Sequence, residues 1–170
     1  MSGPLEPVPL LRALSAARVD HVVIGGFAVI SYGVVRVTKD LDICPDPQLP
    51  NLERLARCLS ELGVVQVGVG DFDEDELPFD PTRTEDLAQG GNFRLETPLG
   101  VLDLMQWLSG IDAEHTYPVL SDQAVDAEVG GVPVRICSLP HLRAMKRAAG
   151  RPQDLQDLAD LAIAQGDDGG

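Results

Sequence analysis

The sequence predicts an α+β fold, in which a mixed β-sheet is flanked by helices and followed by a C-terminal helical segment. Two observations support this. Segments with apolar residues at helical spacing are interspersed with short β-branched runs over residues 1–136, whereas residues 137–170 carry helical patterns alone. A chain of 170 residues is also the size of one compact domain. We therefore predict a core over 1–136 and a helical segment over 137–170 packed on the same domain.

The N-terminal part alternates between helices and strands. Apolar side chains share one face in each predicted helix, and Gly33 and Gly63 follow two of these helices as natural stops. The predicted helices are 8–18, 27–32 and 50–62. The predicted strands are 20–24, 38–44 and 64–69.

The C-terminal part begins with a loop and continues with paired strands. Acidic residues and two prolines make 71–89 a long mobile loop. A hairpin, a second strand pair around Gly130-Gly131 and two helices follow, with Ser138 as the cap of the first helix. The predicted strands are 92–96, 101–106, 119–129 and 132–136. The predicted helices are 141–149 and 152 to about 165.

Composition restricts the function. The formal net charge of −14 argues against broad electrostatic capture of nucleic acid, although one local basic site remains open. Three cysteines without CxxC spacing favour neither a disulfide framework nor a zinc site. They fit a reduced, cytoplasmic setting. We see no signal peptide, and the apolar runs are shorter than a membrane span.

Acidic residues interrupt two of the predicted strands. Asp40 and Asp42 stand two apart, so their side chains leave the same face of one strand, about 7 Å apart at the backbone. Asp103 lies on the face of a neighbouring strand opposite to Leu102 and Leu104. Together these oxygens would suit Mg²⁺, which keeps water positions open for phosphates. Strand-end acids in turns or salt bridges are an equally weighted interpretation of the spacing.

Gly25-Gly26 connects a predicted strand to a predicted helix. Glycines in this position let the backbone approach a phosphate, but a plain tight turn would need them as well. Near the C-terminus, Arg143, Lys146 and Arg147 lie on one helix. They would either meet an anion or form a solvated basic face near a helix end.

These motifs together resemble the nucleotidyltransferase superfamily. The signature is a Gly-Gly or Gly-Ser turn, a short helix and then Asp-x-Asp, which matches IGGFA at 24–28 and RVTKDLDI at 36–43. Three segments are similar to the AbiEii/MenT-like toxin branch of toxin–antitoxin systems. They are the motif at 36–43, LRAMKR at 142–147 and RPQDLQDL at 151–158. The resemblance extends from about residue 19 to 161.

The resemblance implies a role for each matching residue. Gly25 and Gly26 would face the nucleotide phosphates, and Lys146 would reach the triphosphate. Arg36 and Asp157 would support nucleotide binding. Asp40, Asp42 and Asp103 would bind Mg²⁺. Asp103 would also serve as the base.

Three functions follow as hypotheses. In the first, the protein transfers NMP from an NTP to RNA, such as a tRNA 3′ end, and has an antitoxin partner. Its RNA site would involve Arg143, Lys146, Arg147 and Arg151, which form the only dense basic group. In the second, the acceptor is a small hydroxylated molecule such as a cationic aminoglycoside. In the third, the domain binds nucleotides without catalysing a reaction.

Overall fold

The computed structural model describes residues 7–67, 79–112 and 114–167. Helices and strands alternate over the first half, as predicted. The helices are α1 (Pro7–Ala16), α2 (Gly25–Ser31), α3 (Leu49–Leu62), α4 (Thr84–Ala88), α5 (Thr116–Asp122), α6 (Leu139–Ala149) and α7 (Pro152–Ala164). The strands are β1 (His21–Ile24), β2 (Asp40–Pro45), β3 (Val65–Gln66), β4 (Asn92–Thr97), β5 (Gly100–Met105), β6 (Val125–Val129) and β7 (Val132–Ile136).

All of these strands join one sheet in the order β3-β4-β5-β2-β1-β7-β6. The pairs β1–β7 and β2–β5 are parallel, and the other neighbouring pairs are antiparallel. The sheet is therefore mixed and flanked by helices, which confirms the predicted α+β class. None of the described helices is both long and apolar enough to cross a bilayer.

Strands β2 and β5 lie near the centre of the sheet. The apolar side chains next to the acidic residues in these strands are fully buried, whereas the acidic residues themselves are partly exposed. The buried residues are Leu41, Ile43, Leu102 and Leu104. Because side chains alternate along a strand, this burial fixes the acidic residues on the other face. The hydrophobic effect thereby sets the orientation of the carboxylates.

The prediction of a strand over 119–129 is wrong in its first part. The structure places helix α5 at Thr116–Asp122, and strand β6 begins only at Val125. Thr116 and Leu120 are both buried, one helical turn apart, and the Thr116 hydroxyl donates to the Asp112 carbonyl at 3.0 Å. Burial at this helical spacing outweighs the β-preference of the segment.

Two other boundaries also differ from the prediction. The loop predicted over 71–89 contains helix α4, which inserts fully buried Leu87 into the core; residues 71–78 of that prediction lie outside the described residues. The strand predicted over 64–69 is described only at Val65–Gln66, and 68–69 likewise lie outside. A single buried leucine was too weak a periodic signal for a short helix.

The predicted helix ends are confirmed. Gly63 ends α3 in the left-handed region, at φ 65°. At the start of α6, the Ser138 hydroxyl accepts a hydrogen bond from the His141 amide at 3.3 Å. Tyr32 then links α6 and α7 to the rest of the chain, because its hydroxyl donates to the Cys137 carbonyl and its carbonyl accepts from Gln165, both at 2.7 Å.

A buried asparagine joins the two strands that carry the site to helix α3. The side chain of Asn51 is 2% exposed. Its Oδ1 accepts from the Asp20 amide at 2.7 Å, and its Nδ2 donates to the carbonyls of Asp20 and Asp46 at 2.9 Å. These bonds fix the residue that precedes β1 to the residue that follows β2.

Asn51→Ala should destabilise the fold by about 2–4 kcal/mol, because it removes three hydrogen bonds made by a buried side chain. The measurement is the free energy of unfolding in urea. Glu53→Ala, on the exposed side of the same helix, is the control and should change stability by less than about 0.5 kcal/mol. Equal effects of the two substitutions would show that the Asn51 bonds do not hold the strands together.

Candidate active site

The centre of the candidate site is a pair of carboxylates on adjacent parallel strands. In the register of β2 and β5, Asp42 lies directly opposite Asp103. On its other side Asp42 is opposite Ile24, the last residue of β1. The predicted cluster of acidic residues is thus brought together by strand pairing, at the point where β1 passes into helix α2.

Burial and neighbouring negative charge disfavour the charged form of both carboxyls. Burial, together with the charges of Asp103 and Asp40, raises the pKa of Asp42 to about 8, against an opposing effect of Lys146. Burial and the charge of Asp40 also raise the pKa of Asp103, although Arg94 opposes this. The Oδ1 atom of Asp42 is buried and has no hydrogen-bond partner. Such an atom needs a proton or a cation.

Arg94 on β4 supplies a positive charge next to this pair. Its Nη1 donates to Asp103 at 3.2 Å, and its Nη2 donates to Asp40 at 3.0 Å. Arg94 pairs with Asp103 in the β4–β5 register, so both side chains lie on the same face of the sheet. The guanidinium thereby bridges carboxylates of two different strands.

The Gly-Gly turn packs closely against these side chains. Gly25 has φ +69°, and a Cβ placed on it would lie 1.9 Å from Oδ2 of Asp42. A Cβ on Gly26 would lie 2.9 Å from Oγ1 of Thr38 and 3.2 Å from Nη2 of Arg36. Other residues are therefore excluded at Gly25, because its φ is positive and because Asp42 occupies the space that a Cβ would need.

Lys146 lies within a buried ion network. Its side chain is 8% exposed, and its ammonium is 3.2 Å from Asp154 and 2.9 Å from Asp157. Burial would raise the pKa of Asp157, but hydrogen bonds from Lys146 and other donors hold it below its ordinary value. Arg36 approaches the same Asp157 carboxylate at 2.6 Å. The network therefore joins α6 and α7 to the segment that precedes β2.

A cleft of about 260 Å³ lies between the glycine turn and helix α6. Its lining includes charged and glycine residues, among them Gly25, Asp42 and Lys146. It also includes apolar side chains from β5, the segment after it and α6, which are Met105, Trp107, Leu108, Leu142 and Met145. A ligand with one charged and one apolar part would match this mixed lining.

The chemistry of the donor set fits a hard divalent cation. Asp40, Asp42 and Asp103 offer only oxygen ligands, and Asp42 has an unpartnered buried oxygen. Among the described residues, however, no three His, Cys, Asp or Glu side chains are arranged as a metal site. Asp40 is bonded to Arg94 instead. A cation held by the whole set would therefore require Arg94 to release Asp40.

The structure brings most of the predicted residues to one region. Gly25, Asp42 and Lys146 line the cleft, and Asp103 lies beside Asp42. The remaining predicted residues, Gly26, Arg36, Asp40 and Asp157, occupy the surrounding layer of contacts described above.

Sequence reasoning missed Arg94 and Asn92. For Asp154 the sequence left two interpretations open, a salt bridge to Arg151 or Lys146 and a catalytic role, and the structure contains both salt bridges. Arg94 alternates with apolar Phe93 and Leu95, which could have placed it on the polar face of its strand. Its position opposite Asp103 follows from the register of the predicted hairpin, because Arg94 and Asp103 are equally far from the turn. From the sequence, Trp107 is either a packing residue or a ring that stacks on a base, and its exposure of 55% does not fit the first interpretation.

No protein-family model and no curated protein sequence matches this chain. Solved structures do match it. The lincosamide antibiotic adenylyltransferase LnuA, determined with bound lincomycin, has a TM-score of 0.63 at 14% identity, over 95% of this chain and 99% of LnuA. ANT(2″)-Ia, determined in complex with adenylyl-2″-tobramycin, has a TM-score of 0.55 at 17% identity, over 92% of this chain and 85% of that chain.

A nucleotidyltransferase-like protein from Paracoccidioides brasiliensis also matches, with a TM-score of 0.54 at 16% identity, over 95% of this chain and 77% of that chain. Similarity at such low identity concerns the course of the backbone. The chain therefore has a nucleotidyltransferase-like fold.

Proposed function

We propose that this protein transfers a nucleoside monophosphate from an NTP to an acceptor hydroxyl and releases pyrophosphate. The main support is the pairing of β2 with β5, which places Asp42 beside Asp103 at a cleft that also contains Gly25 and Lys146. A domain that only binds nucleotides would have no need for two adjacent carboxylates whose pKa values are both raised. Perturbed groups of this kind are typical of functional sites.

Asp40, Asp42 and Asp103 would hold Mg²⁺. When bound, the cation would neutralise charge on the phosphates and on the attacking oxygen. The unpartnered Oδ1 of Asp42 is the strongest sign of such a ligand. When the cation binds, Arg94 would exchange its bond to Asp40 for other contacts. Without the cation, Arg94 limits the repulsion among the carboxylates.

In the proposed reaction, the acceptor oxygen attacks the α-phosphorus of the NTP. The new bond is O–Pα, and the bond that breaks joins Pα to the bridging oxygen, which leaves with pyrophosphate. The hydroxyl proton goes to a carboxylate, and we assign this role to Asp103. Asp103 has the required environment, because burial raises its pKa.

The phosphates would lie between the glycine turn and helix α6. Gly25, with Gly26 after it, would face them beside Asp42, and Lys146 on α6 contributes positive charge at the same cleft. Lys146 is held by Asp154 and Asp157, so its position is fixed before a nucleotide arrives. Arg36 would support this arrangement through its bond to Asp157.

We propose a small hydroxylated, cationic acceptor rather than RNA. Two of the four basic residues on which an RNA site would depend are bonded to acidic residues, Arg143 to Asp167 and Arg151 to Asp154. A third, Lys146, is buried in the cleft and is not on an open surface. A net charge of −14 also attracts cations and repels nucleic acid. The solved neighbours described with lincomycin and with adenylylated tobramycin agree with an antibiotic-like acceptor.

The RNA acceptor, the toxin role and the antitoxin partner stay predictions from the sequence resemblance. One assay distinguishes the acceptors. The protein is incubated with Mg²⁺, each α-labelled NTP, and either total tRNA or a panel of aminoglycosides and lincosamides. Label on a drug supports the proposal. Label on tRNA would overturn the choice of acceptor, and absence of transfer to any acceptor would overturn the proposed activity.

Asp42→Asn should reduce transfer at least about 1000-fold, because it removes a metal-binding charge whose contribution is several kcal/mol. The measurement is kcat/KM for the acceptor found above. Asp122→Asn, on an exposed carboxylate at the end of α5, is the matched control and should retain full activity. Undiminished transfer by Asp42→Asn would falsify the metal assignment.

The same Asp42→Asn substitution should stabilise the metal-free protein in a pH-dependent way. Because the pKa of Asp42 is about 8 in the folded state and about 3.9 in an unfolded chain, the wild type loses stability as pH rises between these values. The gain should be absent at pH 4 and should reach at least about 1 kcal/mol at pH 8, since one pKa unit corresponds to about 1.4 kcal/mol.

This comparison requires urea unfolding in the presence of a chelator at several pH values, with Asp122→Asn again as the control. A stability difference that does not change with pH would contradict the assignment of a protonated, buried Asp42. A loss of activity that coincides with a gain of stability would indicate a residue selected for chemistry rather than for folding.

A further inference from the structure

The chain contains a single tryptophan, and it is exposed at the cleft. Trp107 follows strand β5, and 55% of its surface is accessible. Tryptophan has a large apolar surface, and a folded protein usually buries most of it. The indole lines the same cleft as Asp42 and Lys146. An exposed aromatic ring in a cleft is a common feature of binding sites.

The side chain of Asn92 holds the backbone at Trp107 in place. Oδ1 of Asn92 accepts from the amides of Gln106 and Trp107 at 3.0 and 3.1 Å, and Nδ2 of Asn92 donates to the Trp107 carbonyl at 3.1 Å. One side chain thereby holds the backbone on both sides of the Trp107 α-carbon. The hydrogen-bonding capacity of this asparagine is used largely to hold the tryptophan in place.

The indole also rests against a glycine. A Cβ on Gly90 would lie 3.0 Å from Cζ2, 3.1 Å from Nε1 and 3.2 Å from Cε2 of Trp107. Gly90 has φ +83°, so its conformation as well as its small size favours glycine. The backbone of Gly90 covers one part of the ring, and the cleft adjoins another. Such a ring is a preformed surface for stacking.

The surroundings of the ring indicate what would stack on it. Met105, Leu108, Leu142 and Met145 line the same cleft as the ring. These apolar side chains suit the faces of a flat heterocycle. An amino sugar, which carries several hydroxyl and ammonium groups, would need polar partners that these four side chains do not provide.

We propose that Trp107 stacks on the nucleobase of the NTP and is a determinant of nucleotide affinity. This inference rests on the proposed function, because the phosphates would lie at Asp42 and Gly25, which line the same cleft as Trp107. Stacking is sequence-tolerant but stronger for larger rings. Purine nucleotides should therefore bind more tightly than pyrimidine nucleotides.

The single tryptophan makes the test direct. Mg²⁺ and an NTP are added to the wild-type protein while its intrinsic fluorescence is recorded, and nucleotide binding is measured independently by equilibrium dialysis. Each of the four NTPs should quench the fluorescence, with purines acting at lower concentration. Inorganic tripolyphosphate with Mg²⁺ has the charge without the base, so it should bind without quenching.

Substitutions test the contribution of the ring itself. Trp107→Ala should weaken NTP binding by roughly 5- to 150-fold, the range expected for loss of one stacked base. It should leave tripolyphosphate binding unchanged. Trp107→Phe keeps an aromatic face and should stay within about threefold of the wild type. Val125→Ala, which shortens another exposed apolar side chain, on strand β6, is the control and should have no effect.

The possible results separate this inference from the proposed function. Failure of any NTP to bind in dialysis would overturn both. NTP binding and transfer without quenching, or with normal affinity in Trp107→Ala, would overturn the role of Trp107 alone. Quenching by an acceptor drug but not by NTPs would also overturn it, because the ring would then belong to the acceptor site. If Trp107→Ala is unfolded by circular dichroism, Trp107→Leu replaces it with the same expected results.

Discussion

The rest of the site depends on one electrostatic constraint, which is that two carboxylates lie side by side on adjacent parallel strands. Strand pairing places Asp42 opposite Asp103, and the buried leucines and isoleucine between the acids keep both on one face. Neither residue can turn away without moving those side chains out of the core. Repulsion and burial together raise the pKa of both carboxyls. The fold therefore maintains an unfavourable arrangement that a bound cation would relieve.

The positive charges around this pair differ in what they do. Arg94 bridges Asp40 and Asp103 and is itself half-exposed, so its bonds are exchangeable. Lys146 is buried between Asp154 and Asp157, and Arg36 contacts the second of these. Breaking a buried network of this kind is costly because it leaves unpaired charge in the interior. Arg94, whose bonds can be exchanged, therefore lies at the centre of the site. The fixed network around Lys146 holds helices α6 and α7 beside it.

The sequence predicted much of the fold because its signals are local. Helix α3 has a continuous apolar stripe and a terminal Gly63, and α6 has the Ser138 cap, so both were predicted to within a few residues. Helix α5 was missed because Val119 resembled the beginning of a strand. Its burial pattern at Thr116 and Leu120 becomes visible only when the sheet lies beneath it. The buried bonds of Asn51 were not predictable either, since both Asp20 and Asp46 approach it only after folding.

The sequence alone determined the types of residue at the site and their local spacing. Asp40 and Asp42 share a face because side chains alternate along any strand, and Gly25-Gly26 precedes a helix wherever the chain goes. Only the tertiary structure decided which distant segments meet. Asp42 lies opposite Asp103 because β2 pairs with β5, and Arg36 meets Asp157 because α7 packs near the segment that precedes β2. These arrangements depend on burial between segments that are far apart in the sequence, which no short stretch of sequence encodes.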